Sequence, residues 1–168
     1  MTIHRIILIL ALAMGLASTA IAQESQESVG KWVVNARKSA LDGGESVGLI
    51  AHSNSGGLII RCNGKEIDVL FSIAGAYLGK RSQTIAYSVD DGAVQKIPVS
   101  PSDDGRAAFV DPGILAAPFI MKDLIGHNKL VYQLTPYQKK AQEVILDIEG
   151  LREVISPHIG LCPGLILP

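Results

Sequence analysis

Residues 58–73 read LIIRCNGKEIDVLFSI, and this stretch decides the fold. Apolar residues alternate from Leu58 to Cys62, so they share one face of a strand. Asn63-Gly64 is a hairpin-turn signal, because both residue types adopt positive φ readily. The apolar alternation resumes from Ile67 to Ile73. The stretch therefore predicts two antiparallel strands that bury a common face.

The same pattern of short alternating runs and turn residues extends along the chain in both directions. Turn signals every 8–12 residues are typical of an antiparallel sandwich or barrel. We predict a mainly β domain of about eight strands with one or two short helices. Further strands are expected at 31–39, 47–52, 84–89, 93–100, 107–110, 130–135 and 143–148, and helices at 114–126 and 150–162.

Prolines modify this pattern at three places. Pro98 lacks the N–H that a central strand needs, so its strand is predicted to lie at an edge or to carry a bulge. Pro118 is expected in the first turn of the first helix, and Pro157 is expected to kink or end the second. The two helices are expected to cover an open end or one face of the sheet.

The composition excludes several classes of protein. The chain has 168 residues, which suits one domain, and its hydrophobic content of 48% is too high for a disordered chain. Its net charge of −1 offers no basic surplus for binding a nucleic acid. After the N-terminal segment, no stretch is long and apolar enough to span a bilayer.

The first 22 residues have the pattern of a secretory signal peptide. Arg5 supplies the positive charge, Ile6 to Leu16 form an apolar run, and Ala20-Ile21-Ala22 suits a signal peptidase. We predict cleavage after Ala22 and a periplasmic or secreted product. The predicted organisation is completed by a flexible polar spacer at 23–29, a single β-rich domain at 30–162 and a C-terminal tail at 163–168.

Export changes the interpretation of the two cysteines, Cys62 and Cys162. An even count in an oxidising compartment predicts one disulfide, which would tie the C-terminal segment to an early strand. A free core thiol at Cys62 and a metal site are the competing interpretations. Two isolated cysteines without paired histidines make a poor zinc-binding set.

No catalytic motif is recognisable along the chain. His52, His127 and His158 are far apart, and the Asp-Asp-Gly sequences offer too few oxygens for calcium and suit turns. We therefore predict no enzyme, no cofactor and no metal. Trp32 is expected in the core rather than at a ligand site.

Two small basic clusters in predicted loops are the candidate partner contacts. They are Lys80-Arg81 and Lys139-Lys140. Solvated turns are the alternative interpretation. The edges of the sheet are further candidates, because an edge strand presents unpaired main-chain groups.

A series of landmarks resembles the VasI-like proteins associated with type VI secretion systems. The residues that carry the resemblance are Gly30-Lys31-Trp32, Ser39, Asp42, Val47, Leu49, Leu58 to Cys62, Tyr77-Leu78, Tyr87, Asp90, Thr135 to Tyr137, Ile148, Gly150, Leu151 and Cys162. They cover most of residues 30–162. Cys62 and Cys162 match the cysteines of that family.

The resemblance implies an exported, non-enzymatic accessory protein of the bacterial envelope. Together with the export signal and the absence of a catalytic motif, it leads us to predict a protein that binds a protein partner in the envelope. It carries no catalytic residues over to this chain. A periplasmic inhibitor or virulence-associated factor that binds a hydrolase is the alternative function. A hydrolase with a dispersed site is the second alternative.

Overall fold

The computed structural model describes residues 23–111 and 116–167, so the predicted signal peptide at 1–22 lies outside the described residues. The described residues form ten strands. These are β1 (Gln23–Val29), β2 (Trp32–Lys38), β3 (Glu45–His52), β4 (Gly56–Cys62), β5 (Ile67–Ile73), β6 (Gln83–Val89), β7 (Gln95–Pro101), β8 (Ala107–Val110), β9 (Lys129–Leu134) and β10 (Gln142–Asp147). The helices are α1 (Ala116–Leu124), α2 (Leu151–Ile155) and a 3₁₀ helix, Ser156–Leu161.

All the strands form one antiparallel sheet in the order β1-β2-β3-β4-β5-β8-β7-β6-β9-β10. The first five strands are a simple meander, in which Leu49 of β3 pairs with Ile60 of β4 and Ile60 pairs with Val69 of β5. The sheet does not close, and it folds over so that β10 packs across β3 and β4. The mainly β prediction is confirmed, and the open, folded sheet is sandwich-like.

The core lies between the two halves of this folded sheet. The ring of Tyr132 on β9 meets the ring of Phe71 on β5 edge to face, with centroids 5.0 Å apart. Trp32 is 1% exposed, as predicted for a core residue, and its Nε1 donates to the Glu149 carbonyl oxygen over 3.0 Å. An aromatic side chain that is buried and also hydrogen-bonded locks the C-terminal segment against β2.

Strand β1 contradicts the prediction of a flexible spacer at 23–29. It pairs with β2 along its whole length, from Gln23 opposite Lys38 to Val29 opposite Trp32. A two-residue turn joins the strands, and Gly30 supplies the positive φ of +60° there. Side chains 24–29 are all exposed, so the pairing rests on main-chain hydrogen bonds that leave no hydrophobic pattern in the sequence.

Pro98 is also not where it was predicted, because β7 lies between β6 and β8 rather than at an edge. The ladder between β7 and β8 begins at Val99, which pairs with Val110. The Pro98 carbonyl accepts the N–H of Asp111, just beyond the end of β8. The N–H that proline lacks would point the same way, towards Asp111, so the one hydrogen bond that Pro98 cannot make lies beyond the last residue of β8.

The helices and the C-terminal segment follow the prediction more closely. Pro118 lies in the first turn of α1, and Pro157 marks the change from α2 to the 3₁₀ helix. Leu165, in the predicted tail, is only 6% exposed and packs in the core. That part of the tail is therefore integrated into the domain.

The predicted disulfide is confirmed. Cys62 ends β4 and Cys162 directly follows the 3₁₀ helix, and their sulfurs are 2.11 Å apart. Neither cysteine is free, which excludes the free-thiol and metal-site interpretations. The Gly64 N–H donates to the Leu161 carbonyl over 2.7 Å beside the bridge, so the C-terminal segment is held to the β4–β5 turn twice.

Candidate partner-binding groove

Three loops that are distant in sequence meet at one end of the sandwich. The Tyr137 N–H donates to the Tyr77 carbonyl over 2.8 Å, which joins the β9–β10 loop to the loop after β5. The Leu78 N–H donates to the Gly105 carbonyl over 2.7 Å, which adds the β7–β8 loop. Between the first two loops lies a groove of about 740 Å³, which we call the tyrosine groove. It is lined by Tyr77, Leu78, Gly79, Lys80, Arg81, Gln83, Thr84, Thr135, Pro136, Tyr137 and Gln138.

Two solvent-facing tyrosines dominate this groove. Tyr77 is 45% exposed and Tyr137 is 57% exposed. Their rings contact each other edge to face, with centroids 5.9 Å apart and planes at 70°. Exposed tyrosines that are held in place offer a large contact area at little entropic cost, which makes them good anchors for a binding partner.

Two glycines allow the loops to approach so closely. A Cβ on Gly105 would lie 2.4 Å from Cε2 of Tyr77 and 2.8 Å from the carbonyl oxygen of Gly79. A Cβ on Gly79 would lie 3.3 Å from Cδ2 of Tyr137. Both glycines also have positive φ, +68° at Gly105 and +90° at Gly79. A side chain at Gly105 would therefore displace Tyr77.

Gln83, the first residue of β6, links the two loops that form the sides, or lips, of the groove. The Gln83 Nε2 donates to the Leu78 carbonyl over 3.0 Å, and the Thr135 N–H donates to Gln83 Oε1 over 3.2 Å. One amide side chain therefore bridges both loops from a rigid strand. Such a bracket positions the groove before any partner binds.

The predicted contact residues divide between the lining and the margin of this groove. Lys80 and Arg81 line it, and Lys80 Nζ donates to the carbonyl oxygen of Asp103 in the β7–β8 loop. Lys139 and Lys140 are exposed and directly follow Gln138, the last lining residue. The structure thus brings two basic clusters that are about 60 positions apart in the chain to the same end of the sandwich.

Residue-by-residue reasoning did not single out Tyr77, Gln83, Gly105 or Tyr137 as site residues. The sequence around Gly105 indicates only a turn, and nothing in the sequence marks Gln83 as a site residue. Tyr77 and Tyr137 belong to the motifs that carry the family resemblance, Tyr77-Leu78 and Thr135-Pro136-Tyr137. Those motifs are the only sequence signal for the two tyrosines, whereas the basic clusters pointed to the same groove by their charge.

A second, smaller hollow of about 220 Å³ lies where β6 and the β6–β7 turn meet α1 and the loop that follows it. Asp90, with φ of 45°, accepts the N–H groups of Asn128 and Lys129 and contacts Nδ1 of His127 at 2.9 Å. These contacts hold the pKa of Asp90 below its ordinary value, the Lys129 N–H contributing most. The carboxylate therefore holds the β6–β7 turn against the start of β9.

Tyr87 lines the same hollow and ties β6 to α1. Its hydroxyl donates to Asp123 Oδ2 over 2.6 Å. Burial, together with the neighbouring carboxylate, raises the pKa of Tyr87 well above its ordinary value, so the phenol stays protonated. Ser88 and His127 also line the hollow, but no hydrogen bond joins them among the described residues. The hydrolase alternative stays a prediction.

The requirements of a metal site and of a membrane-spanning helix are not met by the described residues. Across residues 23–111 and 116–167, no three His, Cys, Asp or Glu side chains are grouped so that they could hold a metal ion. Within the same ranges, every helix is too short or too polar to cross a membrane.

These observations define a disulfide-bridged, open β-sandwich with a basic, tyrosine-lined groove at one end. No protein-family model, no curated protein and no solved structure matches the chain significantly.

Proposed function

We propose that this chain is an exported envelope protein that acts by binding a protein partner through the tyrosine groove, without catalysis. The observation that carries the proposal is the construction of the groove. Exposed Tyr77 and Tyr137 are positioned by glycine contacts and by the hydrogen bonds of Gln83, and these groups come from three separate segments, 77–83, the β7–β8 loop and 135–137. Tyrosine and arginine side chains that a rigid scaffold holds in position are among the groups that contribute most to protein–protein binding.

Export is supported by the sequence and is compatible with the structure. The pattern of residues 1–22 is that of a signal peptide, and a buried disulfide joins Cys62 to Cys162. Disulfides persist in oxidising compartments such as the bacterial periplasm. Mass spectrometry of the protein recovered from periplasm should find Gln23 as the first residue. A first residue of Met1 would contradict the proposal.

A role beside a type VI secretion apparatus is the more specific form of the proposal. It is supported by the resemblance of residues 30–162 to VasI-like proteins, which includes the tyrosine motifs of the groove. In a host that carries such an apparatus, deletion of the gene should lower contact-dependent killing of neighbouring cells. Complementation by the intact chain, but not by a variant with Tyr77→Ala and Tyr137→Ala, should restore it.

In-cell photo-crosslinking tests the binding function directly. A photoreactive amino acid in place of Tyr137 should give a discrete cross-linked band with an envelope protein. The control position is Leu41, which is 99% exposed and lies outside the groove. The proposal fails if position 137 captures nothing under any growth condition, or if both positions give the same bands.

The identity of the captured protein separates the proposal from the inhibitor alternative. Capture of a lysozyme-like hydrolase, with stoichiometric loss of its activity, would replace an accessory role by inhibition. Capture of a structural envelope protein would support the accessory role.

A further inference from the structure

We infer that the tyrosine groove recognises an acidic, extended segment of its partner. The inference rests on the proposed function and names the chemistry of the occupant. Three features of the groove carry it: its charge, its concave shape and the arrangement of its rings.

The charge around the groove is one-sided. Residues 77–84 and 135–140 contain four cations, Lys80, Arg81, Lys139 and Lys140, and no Asp or Glu. The whole chain, by contrast, has 15 Lys and Arg against 16 Asp and Glu. A local excess of this size in a nearly neutral chain favours an anionic occupant and steers it towards the groove.

Two aspartates of the β7–β8 loop, Asp103 and Asp104, lie close to the groove but do not reverse its excess of positive charge. The Asp104 carboxylate accepts the Ser102 hydroxyl over 2.6 Å and the Arg106 N–H over 3.0 Å, which commits it to its own loop. Asp103 faces Lys80 through its main-chain carbonyl rather than its carboxylate. The Lys80 ammonium has further donors for a ligand carboxylate.

The shape of the groove favours a chain over a membrane surface. The site is a hollow of about 740 Å³ between two loops, whereas a bilayer presents a broad and nearly flat surface. An extended segment is narrow enough to lie between the lips that Gln83 joins. Its carboxylates would then reach Lys80 and Arg81 on one lip and Lys139 and Lys140 on the other.

The rings favour a peptide over an anionic polysaccharide. Sugars stack on an open aromatic face, but Tyr77 and Tyr137 stand edge to face at 70° and cover part of each other. The backbone of Gly79 lies against the Tyr137 ring, and Gly105 lies against Tyr77. The ring surface that remains suits an apolar side chain between the acidic residues of a peptide.

Fluorescence anisotropy with the intact mature protein tests the inference. The probe is a labelled peptide of repeated Asp-Gly-Glu-Ser units with one central Leu, and its matched control has Asn and Gln in place of the acids. We expect saturable binding of the acidic peptide, at least about tenfold tighter than the amide peptide and weakened by added salt. Equal binding of both peptides, or no binding of either, would overturn the inference.

Charge-reversal variants locate the site. Lys139→Glu with Lys140→Glu, and separately Lys80→Glu with Arg81→Glu, should each weaken binding of the acidic peptide about tenfold. The change at Lys139 and Lys140 is not expected to disturb folding, because Lys139 contacts its own loop through its main-chain N–H and not through its side chain. The control, Lys65→Glu with Lys96→Glu, makes the same charge change on exposed residues outside the groove and should leave binding unchanged.

Two further experiments test whether other anions bind the groove and separate the failure of this inference from the failure of the proposed function. Dextran sulfate or phosphatidylglycerol vesicles that compete as well as the acidic peptide at equal charge would overturn recognition of a peptide. A partner captured at position 137 through a neutral or basic segment would overturn the inference and leave the proposed function intact. Failure of the photo-crosslinking itself would instead remove the proposed function.

Discussion

The hydroxyl oxygen of Tyr132 in β9 lies 2.5 Å from the carbonyl oxygen of Ser72 in β5. The same hydroxyl lies 3.0 Å from the carbonyl oxygen of Gly57 in β4. One phenol thus links the two halves of the folded sheet at a point where the core is closed to water. A Cβ on Gly56 would lie 2.9 Å from this hydroxyl, so the approach requires glycine.

Removal of that hydroxyl should destabilise the fold. In Tyr132→Phe the ring keeps its packing against Phe71, but the carbonyl oxygens of Ser72 and Gly57 lose the one O–H donor that they share. We expect the free energy of unfolding to fall by about 1–3 kcal/mol, measured by urea denaturation. Tyr137→Phe is the matched control, because Tyr137 is exposed and its hydroxyl makes no hydrogen bond among the described residues, and it should change stability by less than about 0.5 kcal/mol. Equal effects of the two changes would contradict the linking role.

The disulfide should contribute a large part of the stability. Mass spectrometry without reductant should show the chain lighter by two hydrogens than the reduced form. The bridge joins residues 100 positions apart, for which chain entropy predicts about 4–5 kcal/mol, so the double variant Cys62→Ser with Cys162→Ser should unfold at much lower urea. An unchanged urea midpoint after reduction would show that the C-terminal segment is held by packing alone.

Strand β1 should be nearly dispensable for folding. Its described side chains are all exposed, and Glu24 with Arg37 forms an exposed ion pair of 3.2 Å. Deletion of residues 23–29 should change the free energy of unfolding by less than about 1 kcal/mol. The loss of the main-chain hydrogen bonds is offset because the conformational entropy of these residues no longer has to be given up on folding. Leu49→Ala, at a fully buried position of β3, should by comparison lose about 2–5 kcal/mol. A comparable loss in the deletion would show that β1 supports the core.

Acid should weaken the contact of Asp90 with β9. The folded-state pKa of Asp90 lies below its ordinary value of 3.8, so this carboxylate stabilises the fold above pH 3.8. That contribution falls as the pH drops through the lowered pKa. In Asp90→Asn the part of the stability that depends on ionisation of this carboxyl group should be missing. The curves of unfolding free energy against pH for the variant and the wild type should therefore converge at low pH. Parallel curves throughout the acid range would contradict the contact.

Gly105→Ala tests whether the groove depends on the close approach of its loops. We expect a loss of stability of about 1–2 kcal/mol from the left-handed backbone, together with weaker partner binding as Tyr77 is displaced. Gly64→Ala is the control, since Gly64 also has positive φ but its Cβ would meet nothing within 4 Å. It should lose similar backbone energy and keep its binding. Unchanged binding in Gly105→Ala would remove Tyr77 from the binding site.

The prediction from sequence succeeded where the signal was local. Nine of the observed strands correspond to predicted ones, because alternation of apolar residues reflects one buried face of each strand. The disulfide followed from a count of two cysteines and an export signal. Strand β1 was missed because a polar edge strand is held by main-chain pairing, which leaves no hydrophobic pattern.

The sequence by itself determined the nine described strands that bury an apolar face and the turns between them, since each depends on residue type and near neighbours. The pairing of Cys62 with Cys162 followed from the count of two cysteines. Only the tertiary structure decided that β5 pairs with β8, that Pro98 stands beyond the end of β8, and that Tyr77 meets Tyr137. The physical reason is that strand order and loop contacts depend on which surfaces complement one another across the folded sheet. Two tyrosines 60 positions apart become one site only when the sheet has folded over.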